Sequence, residues 1–348
     1  MSLRDSLLRP LTLPYELVVR LRAQVYRRGI VRQKRIDGVV ISVGNLTVGG
    51  TGKTPMVLWI AHRLLAEKRS VGILTRGYRG KPVSTDTKQG TVAAPETTSD
   101  EVRLLKARLG KGVAFGVGAD RFAQGQRLAK RGVQWFLLDD GFQHRQLARD
   151  VDIVLLDASN PFGGGHLLPA GQLREPRSAL ARADIIVITR SDHAPAIEAA
   201  VRHDSAAPTF YAKPGLESIR TANGAGLGDV LKAEAQGKKL FAFCGIGNPS
   251  AFLMNVRDWG FQIVGHRFFR DHHRYTQQDA TAIEIEARKL GADALLCTEK
   301  DVFNLNGVVW NELGVLYCRI SLVVDREEEF WHAIIAKSES SRDISRKL

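Results

Sequence analysis

The chain has 348 residues, of which 44% are hydrophobic and 25% charged, so it is long enough for one large globular domain or two smaller ones. Its three cysteines (Cys244, Cys297 and Cys318) are scattered and odd in number, which argues against a disulfide framework and a structural zinc site and favours a reducing compartment. We expect no secretory signal and no membrane-spanning helix, because no apolar run approaches the roughly 18–20 residues that cross a bilayer.

The N-terminal segment, residues 1–35, carries much of the net charge of +13. Nine basic residues against two acidic ones give it a charge of +7. A helix is predicted from a Thr12 cap with Pro14 in its first turn, and it aligns one apolar stripe of Leu17, Val18, Leu21 and Val25. A basic amphipathic helix is typical of a segment that lies in a membrane interface, although such a stripe can also dock on the protein's own core. Composition leaves both interpretations open.

From residue 36 the pattern alternates between short apolar runs and helical periodicity. Strands are predicted at 39–43, 71–75, 113–117, 135–138, 153–156 and 185–189, and helices at 56–67, 101–109 and 121–130. Apolar runs without polar alternation are buried on both faces, as in parallel sheets. The sequence therefore predicts an α/β fold with a doubly wound, mostly parallel sheet, whose ligands gather at the carboxyl ends of the strands.

A second, smaller α/β domain is predicted for residues 238–336, with strands at 240–244, 262–268 and 294–297 and helices at 249–259 and 277–290. The predicted division is a basic segment 1–35, a first α/β domain 36–212, a Gly-rich linker 213–237, the second domain, and a polar tail 337–348 that frays.

The strongest motif is a glycine-rich loop between the first strand and the first helix of the α/β domain. It consists of Thr47, Val48, Gly49, Gly50, Thr51, Gly52, Lys53 and Thr54. Gly52, Lys53 and Thr54 match the Walker A pattern, whereas its leading glycine is replaced by Thr47. The loop predicts a P-loop NTPase fold in which backbone N–H groups bind phosphate, Lys53 neutralises the β and γ phosphates and Thr54 ligates Mg²⁺.

A Walker B carboxylate is predicted at the end of the strand near residue 138. Asp139 and Asp140 follow four apolar residues, and adjacent carboxylates repel unless a cation lies beside them. Asp139 is therefore predicted to bind the metal together with Thr54. The acid that ends the strand near residue 156 is a rival, but it lacks the paired aspartate and the Gln143 and His144 that follow Asp139.

Several motifs together resemble the tetraacyldisaccharide 4'-kinase family. They occur in that family's order over about residues 36–301, and the leading Thr47 is itself characteristic of the family. The motifs are Gly44-Asn-Leu-Thr-Val-Gly-Gly-Thr-Gly-Lys-Thr-Pro55, Thr75-Arg-Gly-Tyr78, Ser99-Asp-Glu101, Asp139-Asp-Gly-Phe-Gln-His144, Leu168-Pro-Ala-Gly171, Leu173-Arg-Glu-Pro176, Gly245-Ile-Gly-Asn-Pro249, Asp271-His-His273 and Thr298-Glu-Lys-Asp301.

This resemblance implies an ATP- and Mg²⁺-dependent kinase acting on the 4'-hydroxyl of a tetraacylated glucosamine disaccharide 1-phosphate, the precursor of lipid A. It implies a peripheral enzyme at the cytoplasmic face of the bacterial inner membrane, with the N-terminal helix dipped into lipid. Residues 36–212 would be the kinase domain. Neither a nucleic-acid partner nor an obligate protein partner is expected.

The residues alone make Asp100 either an acceptor for the substrate proton or a simple helix cap. The resemblance implies an Asp–His dyad of Asp100 with His272, and His273 is the second choice. The other catalytic candidates, besides Asp139 and Asp140, are Glu101, Arg174 and Glu175. The substrate-binding candidates are Arg76, Tyr78, Arg121, Gln143 and His144.

Two other classes of P-loop protein are alternatives to the kinase interpretation. A P-loop GTPase or metallochaperone would hydrolyse nucleotide without an acceptor and without dependence on His272. A nucleic-acid-binding ATPase would use the basic N-terminal segment and bind with strong salt dependence. That segment offers only Tyr15 and Tyr26 as aromatic stacking platforms, which supports single-strand binding poorly.

Overall fold

The fold was taken from a computed structural model, which describes residues 3–77, 99–222, 229–230, 232–305 and 307–347. These residues form two compact units. Unit 1 comprises residues up to 99, 108–213 and 323 onward, and unit 2 comprises residues 100–107 and 214–322. Residues 100–107 were predicted in the first α/β domain, whereas their contacts place them in unit 2.

Unit 1 is a parallel sheet with flanking helices. Its strands are β1 (Val39–Asn45), β2 (Val71–Thr75), β3 (Val113–Val117), β4 (Trp135–Asp139), β5 (Val151–Asp157), β6 (Ile185–Thr189) and the start of β7 (Thr209–Thr221). Neighbours follow the order β7-β6-β5-β1-β4-β2-β3, and every pair is parallel. All residues of β1, β2, β4, β5 and β6 are buried, because helices cover both faces. The predicted P-loop NTPase-like α/β fold is confirmed.

The helices of unit 1 are α1 (Leu3–Arg27), α2 (Lys53–Ala66), the end of α3 (Asp100–Leu109), α4 (Arg121–Ala129), α5 (Pro195–Asp204) and α10 (Glu327–Lys347). Helix α1 begins before the predicted Thr12 cap, with Pro10 and Pro14 inside it; an internal proline removes one backbone hydrogen bond without always ending a helix. Helix α10 does not fray at 337 but continues to Lys347, and its Ser338 is buried.

Unit 2 is a second α/β layer. It contains the start of α3, the end of β7, β8 (Asp229–Val230), α6 (Lys232–Gln236), β9 (Lys239–Cys244), α7 (Pro249–Asp258), β10 (Gln262–Phe268), α8 (Gln277–Lys289), β11 (Ala294–Thr298), α9 (Glu299–Val302) and most of β12 (Val315–Val324). Strands β10, β9, β11 and β12 are parallel neighbours in that order. The segment 213–237, which was predicted to be a linker, contains the end of β7 together with β8 and α6, and Ile219 of β7 is buried in the unit 2 core.

Candidate active site

The glycine-rich loop lies at the carboxyl end of β1, where the fold predicts a ligand. Lys53 and Thr54 are the first residues of α2, and Gly52, at the N-cap position, has no side chain to cap the helix. Gly49 and Gly52 have φ values of +123° and +89°, which side chains other than glycine rarely adopt. The α2 N–H groups and the positive end of the helix dipole therefore remain available for an anion.

Contacts from neighbouring strands hold the loop backbone in place. The Thr189 hydroxyl, at the end of β6, donates to the Thr51 carbonyl at 3.1 Å. The Arg190 guanidinium donates to the Gly50 carbonyl at 2.8 Å and is also paired with Asp157 at the end of β5. The Gly50 and Thr51 carbonyls are thus hydrogen-bonded to protein groups, which fixes the loop backbone whose N–H groups would bind a phosphate.

The Lys53 ammonium lies in a compact charged cluster. Its Nζ donates to Asn45 Oδ1 at 3.1 Å and lies 3.5 Å from Asp140 Oδ1. Burial lowers the pKa of Lys53, and the Asp140 carboxylate opposes that change. Arg174 Nη1 contacts both Asp140 oxygens at 2.9 Å. Burial raises the pKa of Asp140, but Lys53 and Arg174 outweigh it and lower that pKa below its ordinary value.

The side chains of Asp139 and Asp140 therefore have different surroundings. Asp140, in a left-handed backbone conformation with φ +50°, turns its carboxylate to Lys53 and Arg174. Asp139 is buried at the end of β4, where its Oδ2 accepts from the Thr75 hydroxyl at 3.4 Å. The Thr54 hydroxyl and these carboxylates are oxygen donors of the kind that Mg²⁺ prefers, so the donor chemistry fits the predicted metal.

Three further candidates surround this cluster. The Arg121 guanidinium is buried and donates to the Asp140 carbonyl at 3.2 Å. Gln143 donates to the Asn45 carbonyl at 2.9 Å and accepts from Arg174 at 3.3 Å. Burial first, and then nearby arginines, lower the pKa of His144 to about 4, so its ring is neutral at pH 7. Arg76 follows β2 with its side chain exposed, and Tyr78 lies outside the described residues.

Glu175 is not part of the Lys53 cluster, although it adjoins Arg174 in sequence. Its buried carboxylate accepts from Arg145 at 2.8 Å and from Arg182 at 3.0 and 3.1 Å. It thus joins two arginines beside a cavity of about 740 Å³ next to α1. This environment points to a structural ion-pair network rather than to contact with a reacting group.

We expect Glu175→Ala to lower the free energy of unfolding by about 3 kcal/mol, because it leaves Arg145 buried without its partner. Urea unfolding followed by circular dichroism measures the change. Glu329→Ala is the control, since Glu329 forms an exposed pair with Arg326 and its loss should cost less than about 1 kcal/mol. Equal stability of the two variants would contradict the structural assignment.

The Asp–His pair lies within unit 2. The ring Nδ1 of His272 is 2.9 Å from Asp100 Oδ2, and its Nε2 is 3.8 Å from Glu101 Oε1. The hydrogen bond with Asp100 raises the pKa of His272, against partial burial that lowers it. His273 instead pairs with Asp279 at 3.1 Å and stacks on Phe269. The neighbouring histidines therefore have different partners, and His272 is the one that meets Asp100.

The family model that describes tetraacyldisaccharide-1-P 4'-kinases matches residues 4–339 of this chain. The chain belongs to that family. A tetraacyldisaccharide 4'-kinase of Geobacter metallireducens is 39% identical over 90% of this chain and 92% of its own length. One of Chlorobium phaeovibrioides is 37% identical over 93% and 94%. The crystal structure of LpxK from Aquifex aeolicus in complex with ATP superposes with a TM-score of 0.73 and 29% identity, over 96% of this chain and 99% of that one.

Three residues that the sequence analysis did not select as site residues contact the candidate catalytic groups. Asn45 binds the Lys53 ammonium, and Asn304 and Lys300 contact the two acids that begin α3. Asn45 lies inside the P-loop motif and Lys300 lies inside Thr298-Glu-Lys-Asp301, so the family motifs could have indicated both residues. Asn304 lies outside the family motifs, and no sequence pattern indicated it.

Proposed function

We propose that this protein transfers the γ-phosphate of ATP to the 4'-hydroxyl of a tetraacylated disaccharide 1-phosphate, the precursor of lipid A. The observation that carries the proposal is the family match across residues 4–339. The P-loop cluster supports it, because Lys53 and the α2 N-terminus are groups that bind a triphosphate. Binding of ATP by the Aquifex aeolicus relative agrees with this assignment.

The proposed mechanism assigns nucleotide binding to unit 1. The loop N–H groups and Lys53 hold the β and γ phosphates, while Asp140 and Arg174 orient the Lys53 ammonium. Thr54 and Asp139 would hold Mg²⁺, with Asp140 as the rival ligand; the ion would neutralise phosphate charge when bound. Arg121 and Arg174 supply positive charge for the transferring phosphoryl group.

Proton acceptance is assigned to unit 2. A sugar hydroxyl must lose its proton as the new P–O bond forms, and a positioned base supplies that acceptor. The His272 ring, held by Asp100 through Nδ1, can take the proton on Nε2. Asp100 then stabilises the resulting imidazolium, and Glu101 adds a second negative charge near the same ring.

The decisive experiment is transfer of radiolabelled γ-phosphate to tetraacyldisaccharide 1-phosphate in detergent micelles. Labelled lipid with the wild-type protein, and almost none with Asp100→Ala, is the expected result. Nucleotide hydrolysis without labelled lipid, from a folded protein that binds ATP, would overturn the acceptor assignment and favour a P-loop hydrolase.

We further propose that α1 attaches the protein peripherally to the cytoplasmic face of the inner membrane. Leu13, Leu17, Val18 and Leu21 are 70%, 59%, 63% and 51% exposed, and arginines flank them. Exposed apolar side chains beside basic ones favour an anionic lipid interface. None of the helices in the described part of the chain combines the length and the hydrophobicity of a membrane span.

Changing both Leu17 and Leu21 to Glu should weaken binding to anionic phospholipid vesicles at least about tenfold, because each leucine contributes roughly 1.5 kcal/mol or more when it enters an apolar phase. Vesicle sedimentation measures the partition. Met254→Glu is the control, since Met254 is 64% exposed on α7 of unit 2. Wild-type binding by the double variant would contradict attachment through α1.

A further inference from the structure

The segment Thr298–Asn304, at the end of β11, begins with the family motif Thr298-Glu-Lys-Asp301, to which the proposed reaction assigns no role. Thr298 and Asp301 form a reciprocal capping box that starts the short helix α9. Asn304 follows one turn later, where its backbone N–H donates to the Asp301 carbonyl at 2.7 Å. These hydrogen bonds fix the local backbone of the segment. The side chains of Lys300, Asp301 and Asn304 contact residues of the dyad or residues next to it.

Asn304 holds the acid of the dyad. Its Nδ2 donates to Asp100 Oδ2 at 3.0 Å, and this is the same oxygen that contacts His272 Nδ1. The backbone carbonyl of Asn304 accepts from the backbone N–H of Tyr275 at 3.2 Å, which holds the main chain of Asn304 in place. A carboxylate that receives two donors on one oxygen has little freedom to rotate about its last bond.

The first turn of α3 is fixed at two more points. The Lys300 ammonium lies 3.2 Å from Glu101 Oε1, and Arg103 donates to the Phe303 carbonyl at 2.8 Å. Asp100, Glu101 and Arg103 are thus each bound by a residue between 300 and 304. All of these residues belong to unit 2, so the arrangement is internal to it.

Asp301 holds the histidine through the backbone. Its buried Oδ1 accepts from the Gly245 N–H and from the Tyr275 hydroxyl, both at 2.8 Å. The Gly245 carbonyl in turn accepts from the His272 N–H at 3.0 Å. His272 has a φ of +60°, an uncommon conformation for a residue with a side chain, which surrounding contacts must maintain.

We propose that Thr298–Asn304 is the positioning segment of the dyad, in which Asn304 fixes Asp100, Lys300 fixes Glu101, and Asp301 fixes His272 through Gly245. The inference rests on the proposed function, because it matters for turnover only if Asp100 and His272 act in the reaction. These three are positioning residues, since their described contacts are with the dyad and its supports.

The first test is Asn304→Ala, with Asn304→Asp as a variant of the same shape that cannot donate to Asp100. Both should lower kcat about tenfold, the effect of losing one hydrogen bond to a charged group, and leave the KM for ATP unchanged. Asn311→Ala is the control, because Asn311 is exposed and contacts Glu284 through its backbone N–H, which the substitution keeps.

A second readout separates positioning from general structural damage. In protein labelled with ¹⁵N-histidine, the pKa of the His272 ring should move toward the ordinary value near 6.5 in Asn304→Ala. Unchanged His272 titration together with unchanged kcat in both Asn304 variants would overturn the inference.

Parallel measurement of Asp100→Ala and His272→Ala distinguishes failure of the proposed base from failure of the positioning segment. If both of these retain wild-type turnover, the proposed base is wrong and the positioning inference falls with it. If both lose turnover while the Asn304 variants and Lys300→Ala keep it, the positioning inference alone is wrong.

Discussion

Lys53→Met should reduce phosphoryl transfer by a factor on the order of 10²–10³, the usual cost of removing one preorganised positive group from a transition state that gathers negative charge. Lys53 is held by Asn45 and Asp140, so its ammonium is oriented before nucleotide binds. Initial-rate measurement with radiolabelled ATP gives the loss in kcat, and a fluorescent nucleotide titration gives the change in affinity.

Lys68→Met provides the comparison for Lys53→Met, since Lys68 is an exposed lysine just beyond the end of α2 and should leave the rate unchanged. Asp140→Asn should have an intermediate effect, because it removes the charge that orients Lys53 and Arg174 but keeps the shape of the side chain. Full activity of Lys53→Met would contradict the assignment of the loop to triphosphate binding.

His272→Ala should reduce kcat by roughly 10²–10⁴, the range found for loss of a positioned general base. His273→Ala should have a much smaller effect, because His273 contacts Asp279 and not Asp100. The same radiolabel assay compares the two adjacent histidines under identical conditions. A larger loss in His273→Ala than in His272→Ala would reverse the assignment of the dyad.

The pH dependence of this reaction follows from the His272–Asp100 contact. His272 must be neutral to accept a proton, and the hydrogen bond to Asp100 raises its pKa above 6.5. The rate should therefore fall as the pH decreases through that raised pKa. Asp100→Asn removes the negative charge, so the remaining activity should fall at a lower pH than the activity of the wild type does. A fall at the same pH in both proteins would contradict the effect of Asp100 on the pKa of His272.

Local sequence pattern was enough to predict six strands of the unit 1 sheet, β1 to β6, and the phosphate loop. Buried strands such as β1 and β4 are short, mostly apolar runs. A glycine-rich loop between a strand such as β1 and a following helix is typical of phosphate binding. Helix α10 and strands β7 and β12 were not predicted. Strand β7 includes Pro214 and Gly215, residues that weaken a local strand prediction, and its structure depends on pairing with distant strands.

The sequence by itself determined the class of this protein, because a P-loop, a paired aspartate after a buried strand and the ordered family motifs are short-range features. The tertiary structure decided which partners each candidate has. Asp140 rather than Asp139 meets Lys53, Glu175 joins Arg145 and Arg182, and Asp100 meets Asn304 across 204 residues of chain. Such pairings depend on where the chain returns in space and on the left-handed backbone at Asp140 and His272, which residue identity does not specify.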